Sequence, residues 1–339
     1  MTAAVALWTA GGPGIGVGHL SRCRSLAFAL RDAGARVGIV ADAPASALAL
    51  FEWDGLLVQQ ATEVDAARPE QWWPFTGDGG ARVIVSDRPN VRPAHVAAWR
   101  AHGVQTIAHL CDDGADRLPV DVFINGDAAP PALEVLAPVV RVGPAWHIVR
   151  PEVVQHRGAP LSHAPVGRVL VSLGAADPGG CSGIFAAALA QGGPLPFDVT
   201  LVVRDDVAGT VPALPGLRIM PPTPDLPGLL FAHDLVVTFP GLTAYEAACI
   251  GRPVALIEWS YLAPYAAAMV GAGMAVTLGG APEAAARLRT VVRDVDHLHA
   301  LAVRAHAAID GRGAERVAAL ILAHAAGQRA SVLSFHHYS

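Results

Sequence analysis

Charge is scarce in this 339-residue chain: 16% of its residues are Asp, Glu, Lys or Arg, and the net charge is −5. No long basic run occurs, which argues against a nucleic-acid partner. Cysteine is scarce as well. Cys23, Cys111, Cys181 and Cys249 lie far apart and form no Cys-x-x-Cys pair. That spacing argues against a zinc site, and the expectation is four reduced thiols in a cytoplasmic protein. The N-terminus lacks a positive n-region and its apolar stretch is broken by glycines, so no signal peptide is read there. An unbroken membrane-length apolar run is missing too. Tyr261 to Pro282 is uncharged, but Pro264, Gly271, Gly273, Gly279 and Gly280 divide it. It reads as helix, turn and strand, so no integral membrane segment is expected.

What the chain has is apolar residues, 53% of the total, with a mean hydropathy of +0.40. That builds a large core, and the length suits two domains. Apolar strands alternate with helical stretches from the start, with strands expected at Val5–Trp8, Arg36–Ala41, Leu56–Gln59, Arg82–Ser86, Val104–His109 and Val122–Asn125. A segment rich in proline, histidine and polar residues follows, from about Gly143 to Pro165. The alternation then restarts with strands at Arg168–Leu173, Asp198–Val203, Leu217–Met220, Leu235–Thr238, Pro253–Trp259 and Ala275–Leu278. Strands apolar throughout are those buried on both faces, so the pattern predicts doubly wound parallel sheets. The expected fold class is α/β with two Rossmann-like domains and a cleft between them. The domains are 1–145 and 166–328, joined by a linker at 146–165. The last helices are expected to pack back towards the N-terminal domain, and 329–339, with His336 and His337, reads as a solvated tail.

The first loop, Gly11-Gly12-Pro13-Gly14-Ile15-Gly16-Val17-Gly18-His19, joins a strand to an amphipathic helix. Glycine permits positive φ and close backbone approach, and the helix N-terminus offers free N–H groups to an anion. His19 at that point is placed for proton transfer. The plainer reading is a packing turn with a helix-capping histidine. A dinucleotide reading, with Asp42 on the ribose, lacks the Gly-x-Gly-x-x-Gly register. The second half repeats the arrangement in Ser172 to Gly180, where Ser172, Gly174 and Asp177 face either a diphosphate or sugar, or Asp177 caps the next helix. In Thr238 to Pro253, Gly241, Leu242 and Thr243 would offer amides to a pyrophosphate. Glu246 would accept two ribose hydroxyls, or pair with Thr243 as a capping box.

These stretches, in this order, resemble the GT-B superfamily of nucleotide-sugar enzymes. Within it the chain resembles the UDP-sugar hydrolases of the pseudaminic-acid pathway (the PseG type), with MurG-type glycosyltransferases as more distant relatives. The likeness is carried by Gly16 to Cys23, by Arg82 to Asp87 with Cys111-Asp112-Asp113 and Asp121 to Asn125, by Gly143 to Glu152, by Ser172 to Pro178 and by Thr238 to Pro253. It implies that His19 is the general base that activates water against the anomeric carbon of a UDP-linked deoxy-amino sugar. It further implies that Gly16, Gly18, Arg22, Asp87, Gly174 and Asp177 contact substrate, that Gly241, Leu242 and Thr243 hold the diphosphate and Glu246 the ribose, and that uracil rests near Val203–Arg204 or Thr223. No metal or redox cofactor is implied. Two positions depart from the family. Arg88-Pro89 follows Asp87 where an aromatic is usual, and Arg88 offers a charge-assisted hydrogen bond to a phosphate or a sugar carboxylate instead. Tyr261-Leu262 stands where Asn-Gln is usual, a place that contacts sugar or phosphate in the family, so the resemblance puts Tyr261 among the substrate-binding residues. Three functions remain open at this point: hydrolysis of a nucleotide sugar, glycosyl transfer to an acceptor, and nucleotide-sugar binding without catalysis.

Overall fold

The structure is a computed structural model that describes residues 2–60, 68–72, 82–110, 117–129, 134–158, 163–174 and 177–327. Cys111, Asp112, Asp113 and the expected tail lie outside the described residues.

The N-terminal half comprises β1 (Ala4–Ala10), α1 (Gly18–Asp32), β2 (Arg36–Asp42), α2 (Ala45–Leu48), β3 (Leu57–Gln60), β4 (Arg82–Asp87), α3 (Pro93–Ala101), β5 (Thr106–His109), β6 (Val122–Asn125) and β7 (Val139–Val142). Its strands form a seven-stranded parallel sheet in the order β3-β2-β1-β4-β5-β6-β7. Every residue of β1 is buried, as its apolar run requires for a strand covered on both faces. Leu20, Cys23, Ala27 and Leu30 of α1 cover one face at helical spacing. Trp8, Trp72 and Trp99 pack on the other, with Trp8 edge-on to Trp99 at 5.4 Å between ring centroids. The last strand, β7, was not expected from the sequence. It is an edge strand whose burial alternates and whose centre carries Arg141, so it has no doubly buried apolar run to read.

After α4 (Pro151–Gln155) the second half begins. It runs β8 (Arg168–Ser172), α5 (Cys181–Gln191), β9 (Asp198–Val202), α6 (Asp205–Ala208), β10 (Leu217–Met220), α7 (Leu226–Ala232), β11 (Leu235–Thr238), α8 (Leu242–Ile250), β12 (Val254–Ile257), α9 (Ala263–Gly271), β13 (Val276–Gly279), α10 (Ala281–Val291), α11 (Val295–Ala308) and α12 (Gly313–Ala325). The sheet is again parallel, in the order β10-β9-β8-β11-β12-β13. The two sheets are separate, and the alternation read from the sequence reproduces both apart from β7. No described helix is long and apolar enough to cross a membrane.

Chain order places α12 with the second domain, yet its apolar face belongs to the first. Val317, Ala318 and Ile321 are buried in the cluster that holds Leu20, Leu26 and Leu30. Gly313 opens the helix, and a side chain there has no room: a Cβ would stand 1.9 Å from the carbonyl oxygen of His147. Gly313→Ala is therefore expected to lower stability by about 1–3 kcal/mol or more, through overpacking at the seat of α12. Urea denaturation of the variant beside wild type checks it, and an unchanged midpoint would contradict it.

In each sheet the order reverses beside one strand, between β1 and β4 in the first and between β8 and β11 in the second. Loops leave the carboxyl ends of adjacent strands in opposite directions there, which opens a crevice. The glycine loop after β1, the turn after β4, the loop after β8 and the turn after β11 all lie at those points.

Candidate functional site

The loop after β1 is held by its own backbone. Gly12 and Gly16 exchange two N–H···O bonds of 2.8 Å. Gly12, Gly14 and Gly16 all have positive φ, at 130°, 82° and 81°, a conformation that other residues adopt only with strain. This fold-back delivers the chain to the start of α1 at Gly18, so His19 is the helix's second residue.

His19 does not cap α1; the helix has no side-chain cap. Its Nδ1 instead lies 2.8 Å from Oδ1 of Asp87, which ends β4. Arg22, one turn further along α1, donates to the same carboxylate twice, from Nε to Oδ2 at 2.7 Å and from Nη2 to Oδ1 at 2.6 Å. Asp87 is wholly buried, while the His19 side chain is 20% exposed. Burial alone pushes the Asp87 carboxyl up, but Arg22 and then His19 outweigh it and hold it well below the usual carboxylate range. In the tautomer with the proton on Nδ1, an ionised Asp87 accepts it and Nε2 is left as the imidazole's acceptor nitrogen; Arg22 Nη2 also stands 3.1 Å from Nδ1. Cys23 approaches the same carboxylate at 3.9 Å. Burial, and then Asp87, push its thiol pKa well up, so it is a neutral filler there.

Arg88 turns the other way. Its guanidinium lies 4.2 Å over the Trp8 ring, and Nη2 stands 3.4 Å from Oδ2 of Asp42. The structure thus engages Arg88 and Asp42 with each other, where the sequence suggested a phosphate or sugar contact for Arg88. Arg88 is buried and does not line the cleft.

In the second domain Asp177 has φ 38°. One carboxylate oxygen accepts from the Ser182 amide at the start of α5, at 3.0 Å, and the other is buried without a partner among the described residues. The turn after β11 leads into α8 at Leu242, with Gly241 before it and open space where a Gly241 side chain would be. Amides in a first helical turn have no intrahelical acceptor, so Gly241, Leu242 and Thr243 bring donors to the cleft wall. The capping box does not form. The helix starts one residue before Thr243 and has no side-chain cap. Glu246 is instead gripped from outside, with both oxygens in the fork of Arg150, Nε to Oε1 and Nη2 to Oε2, each at 2.6 Å. Glu246 is 1% exposed and the Arg150 side chain 13%.

Sequence reasoning did not single out Arg150, which entered only as part of the interdomain segment, and its partner is 96 residues away. His147 in the same segment was missed too. Its ring stacks on Tyr245 of α8, with centroids 3.8 Å apart. Nδ1 lies 3.3 Å from the Gly126 carbonyl, and the buried Nε2 has no partner. Burial, followed by the charge of Arg22, pushes this imidazole down to about 3, so it is neutral at pH 7. Tyr245 in turn accepts from the Ala128 amide through its hydroxyl at 2.8 Å, which ties the domains together.

Between these loops lies a cleft of about 370 Å³. Gly16, Gly18, Gly174, Asp177, Gly241, Leu242, Thr243, Glu246 and Tyr261 line it, as do Val203, Arg204 and Thr223. His19, Arg22 and Asp87 are not among the residues that line it; Gly18 and Ser21, on the same helix as His19 and Arg22, form part of its wall. Ile15, Leu50 and Phe51 add an apolar flank from the N-terminal domain. Among the described residues, no group of three or more His, Cys, Asp or Glu side chains is placed to hold a metal.

No protein-family model matches the chain, and no curated protein sequence does. Solved structures match it over nearly its whole length. MnaA of S. aureus, in a co-structure with UDP, superposes with a TM-score of 0.68 at 14% identity, covering 99% of this chain and 100% of that one. The spinosyn forosaminyltransferase SpnP gives 0.65 at 14% identity, covering 95% of this chain and 99% of that one. MurG of Acinetobacter baumannii gives 0.61 at 16% identity, covering 94% and 99%. The fold is thus the two-domain α/β arrangement of GT-B, MurG-like structures.

Proposed function

We propose that the chain is a nucleotide-sugar enzyme in which His19 takes the proton of a hydroxyl that attacks the anomeric carbon. The observation that supports this most is the His19–Asp87–Arg22 cluster, two members of which share α1 with Gly18 and Ser21 of the cleft wall. Asp87 orients the imidazole and stabilises the imidazolium formed when Nε2 accepts the proton. Arg22 keeps Asp87 ionised. As the new C–O bond forms, the bond from the anomeric carbon to the diphosphate oxygen breaks and its electron pair leaves with the nucleoside diphosphate. Charge then grows on the diphosphate, where the amides of Gly241, Leu242 and Thr243 and the dipole of α8 favour it. Glu246 receives the ribose, and Val203, Arg204 and Thr223 flank the base.

With water as the attacking hydroxyl the reaction is hydrolysis, releasing UDP and a free deoxy-amino sugar, as the resemblance to pseudaminic-acid-pathway hydrolases implies. A second reading, glycosyl transfer, is favoured by the flank of Ile15, Leu50 and Phe51, since water needs no apolar wall and an acceptor molecule can use one. Glycosyltransferases among the structural neighbours, and the UDP in the MnaA structure, support the donor class common to both readings. A cytoplasmic location fits the free thiols of Cys23, Cys181 and Cys249.

Incubating the protein with a panel of nucleotide sugars, with and without candidate acceptors, and following nucleoside diphosphate release tests the proposal. Release without an acceptor identifies hydrolysis, and release that requires one identifies transfer. No release under either condition would reject the catalytic reading. The nucleotide role of Glu246 is tested separately. Glu246→Ala is expected to weaken UDP binding by about 1–3 kcal/mol, the cost of losing a charged acceptor. Unchanged affinity by calorimetry would remove Glu246 from the ribose site.

A further inference from the structure

We propose that the N-terminal half of the cleft receives an uncharged, apolar alcohol as the acceptor of the glycosyl group. The proposal rests on the transfer form of the nucleotide-sugar reading and names its acceptor class. The cleft wall divides by chemistry between the domains. Its charged side chains, Arg150, Asp177, Arg204 and Glu246, come from the interdomain segment and the second domain. The N-terminal domain contributes residues 14–18 with Ser21, Leu50 and Phe51, and none of these is charged. Ser21 alone among them has a polar side chain, and its Oγ is buried without a partner among the described residues. A hydroxyl-rich group entering that half would leave its water bonds behind and find few side chains to replace them. A charged group would meet no side-chain counter-charge there. An apolar body with one reactive hydroxyl gains from the same wall.

These apolar side chains are held in water by fixed supports, and a shared apolar surface of that kind marks a ligand site. Ile15, 43% exposed, rides on the turn closed by the Gly12–Gly16 bonds of 2.8 Å. Leu50, 37% exposed, and Phe51 follow α2. The Trp53 indole donates to the Leu48 carbonyl at 3.1 Å, its ring lies 5.7 Å from that of Phe51, and Arg24 of α1 donates to the Glu52 carbonyl. From the second domain Tyr261, 67% exposed, adds a further ring to the cleft wall. Ser260 before it has φ 36°, which a non-glycine residue holds only with strain. Trp259 is seated on Gly179, where a Cβ would stand 2.1 Å from the ring. Side chains fixed in this way lose little freedom when an apolar ligand arrives. Gly18 and Ser21 of the wall share α1 with His19, so a bound alcohol comes to the helix that carries the candidate base. Transfer forms the bond from the alcohol oxygen to the anomeric carbon and breaks the bond to the diphosphate, whose oxygen keeps the electron pair. The hydroxyl proton goes to His19.

Calorimetric titration of naphthol, methyl glucoside and hydroxynaphthoate into the protein at saturating UDP tests this, with UDP titrated separately. Naphthol is expected to bind at least about 30-fold more tightly than the hydroxyl-rich glucoside or the carboxylate. Leu50→Ser and Ile15→Ser are each expected to weaken naphthol about 10-fold while UDP affinity changes by less than about 3-fold. Both side chains reach the surface, so folding tolerates the changes. Naphthol incubated with a panel of nucleotide sugars should yield a naphthyl glycoside by mass spectrometry, together with nucleoside diphosphate. Equal affinity for the three probes, or naphthol affinity untouched in both variants, would overturn the proposal. So would tight naphthol binding with no glycoside formed from any donor that the protein cleaves in water, an outcome that assigns the wall to the glycosyl group itself. If UDP does not bind, or no donor is cleaved with or without naphthol, the nucleotide-sugar reading fails and the proposal with it. The separate UDP titration and the donor panel show which of the two has failed.

Discussion

His19→Asn is expected to lower turnover on a nucleotide sugar by about 10²–10⁴-fold, the usual worth of a general base, while UDP affinity and melting temperature stay close to wild type. Asparagine is the informative replacement. Its amide can still donate to Oδ1 of Asp87, where His19 Nδ1 now lies at 2.8 Å, so the buried carboxylate keeps its partners. What disappears is the second nitrogen, the only part of the ring able to accept a proton from an attacking hydroxyl. His19→Ala should show the same kinetic loss with an added loss of stability, because Asp87 then keeps only Arg22 and the long Cys23 contact among the partners described. Rate, UDP affinity and melting temperature measured on both variants separate the roles. Retained turnover with a lowered melting temperature in His19→Asn would make the histidine a packing residue and end its role as base.

Asp87→Asn is expected to cost about 3–5 kcal/mol of stability, the usual penalty for breaking a buried ion pair from one side, and to lower turnover as well. The carboxylate is fully buried and accepts from both Arg22 and His19. An amide in its place removes the negative charge that Asp87 sets against Arg22, and it no longer holds the His19 proton on Nδ1. The acid side of the stability curve carries the same signature. Folding lowers the Asp87 pKa from its unfolded value of about 3.9. Its contribution is therefore fully present above that pH and is lost as the pH falls below about 4 towards the folded value. His147 acts earlier. It is held neutral with a pKa of about 3 against the usual 6.5 of a free imidazole, so stability declines from about pH 6.5 downwards as the unfolded chain takes up the proton first. Urea denaturation across pH should show both declines in wild type; in Asp87→Asn the histidine decline, which His233 and His306 share with His147, remains, and the acid limb below pH 4, to which Asp310 still contributes, is shallower. An unchanged acid limb below pH 4 in the variant would contradict the pairing seen around Asp87.

Much of the architecture was legible because it is local. A strand buried on both faces needs an unbroken apolar run, and a helix against a sheet needs apolar residues at its own period; these patterns place twelve of the thirteen strands and helices such as Leu226–Ala232 near their observed positions. The glycines after β1 mark a turn wherever they occur, because positive φ is a property of single residues. His19, Arg22 and Asp87 were candidates by resemblance to a family, but nothing in their spacing says that they share one hydrogen-bonded cluster. The first two are three residues apart on α1, and the third arrives from 65 residues further along Arg22's own register. Sheet order brings it there, since β4 lies beside β1.

The chain's amino-acid pattern by itself determined two α/β halves, their glycine turns and the helix N-termini that can receive an anion, since each depends on neighbours within a few residues. Only the tertiary structure decided that Glu246 belongs to Arg150 and not to Thr243, that Arg88 turns to Trp8 and Asp42, and that His147 stacks on Tyr245. Those choices depend on which distant surfaces meet. Side-chain ion pairs, stacks and docked helices draw their energy from burial and geometry that exist only once both sheets have formed, and a sequence records the groups without the distances between them.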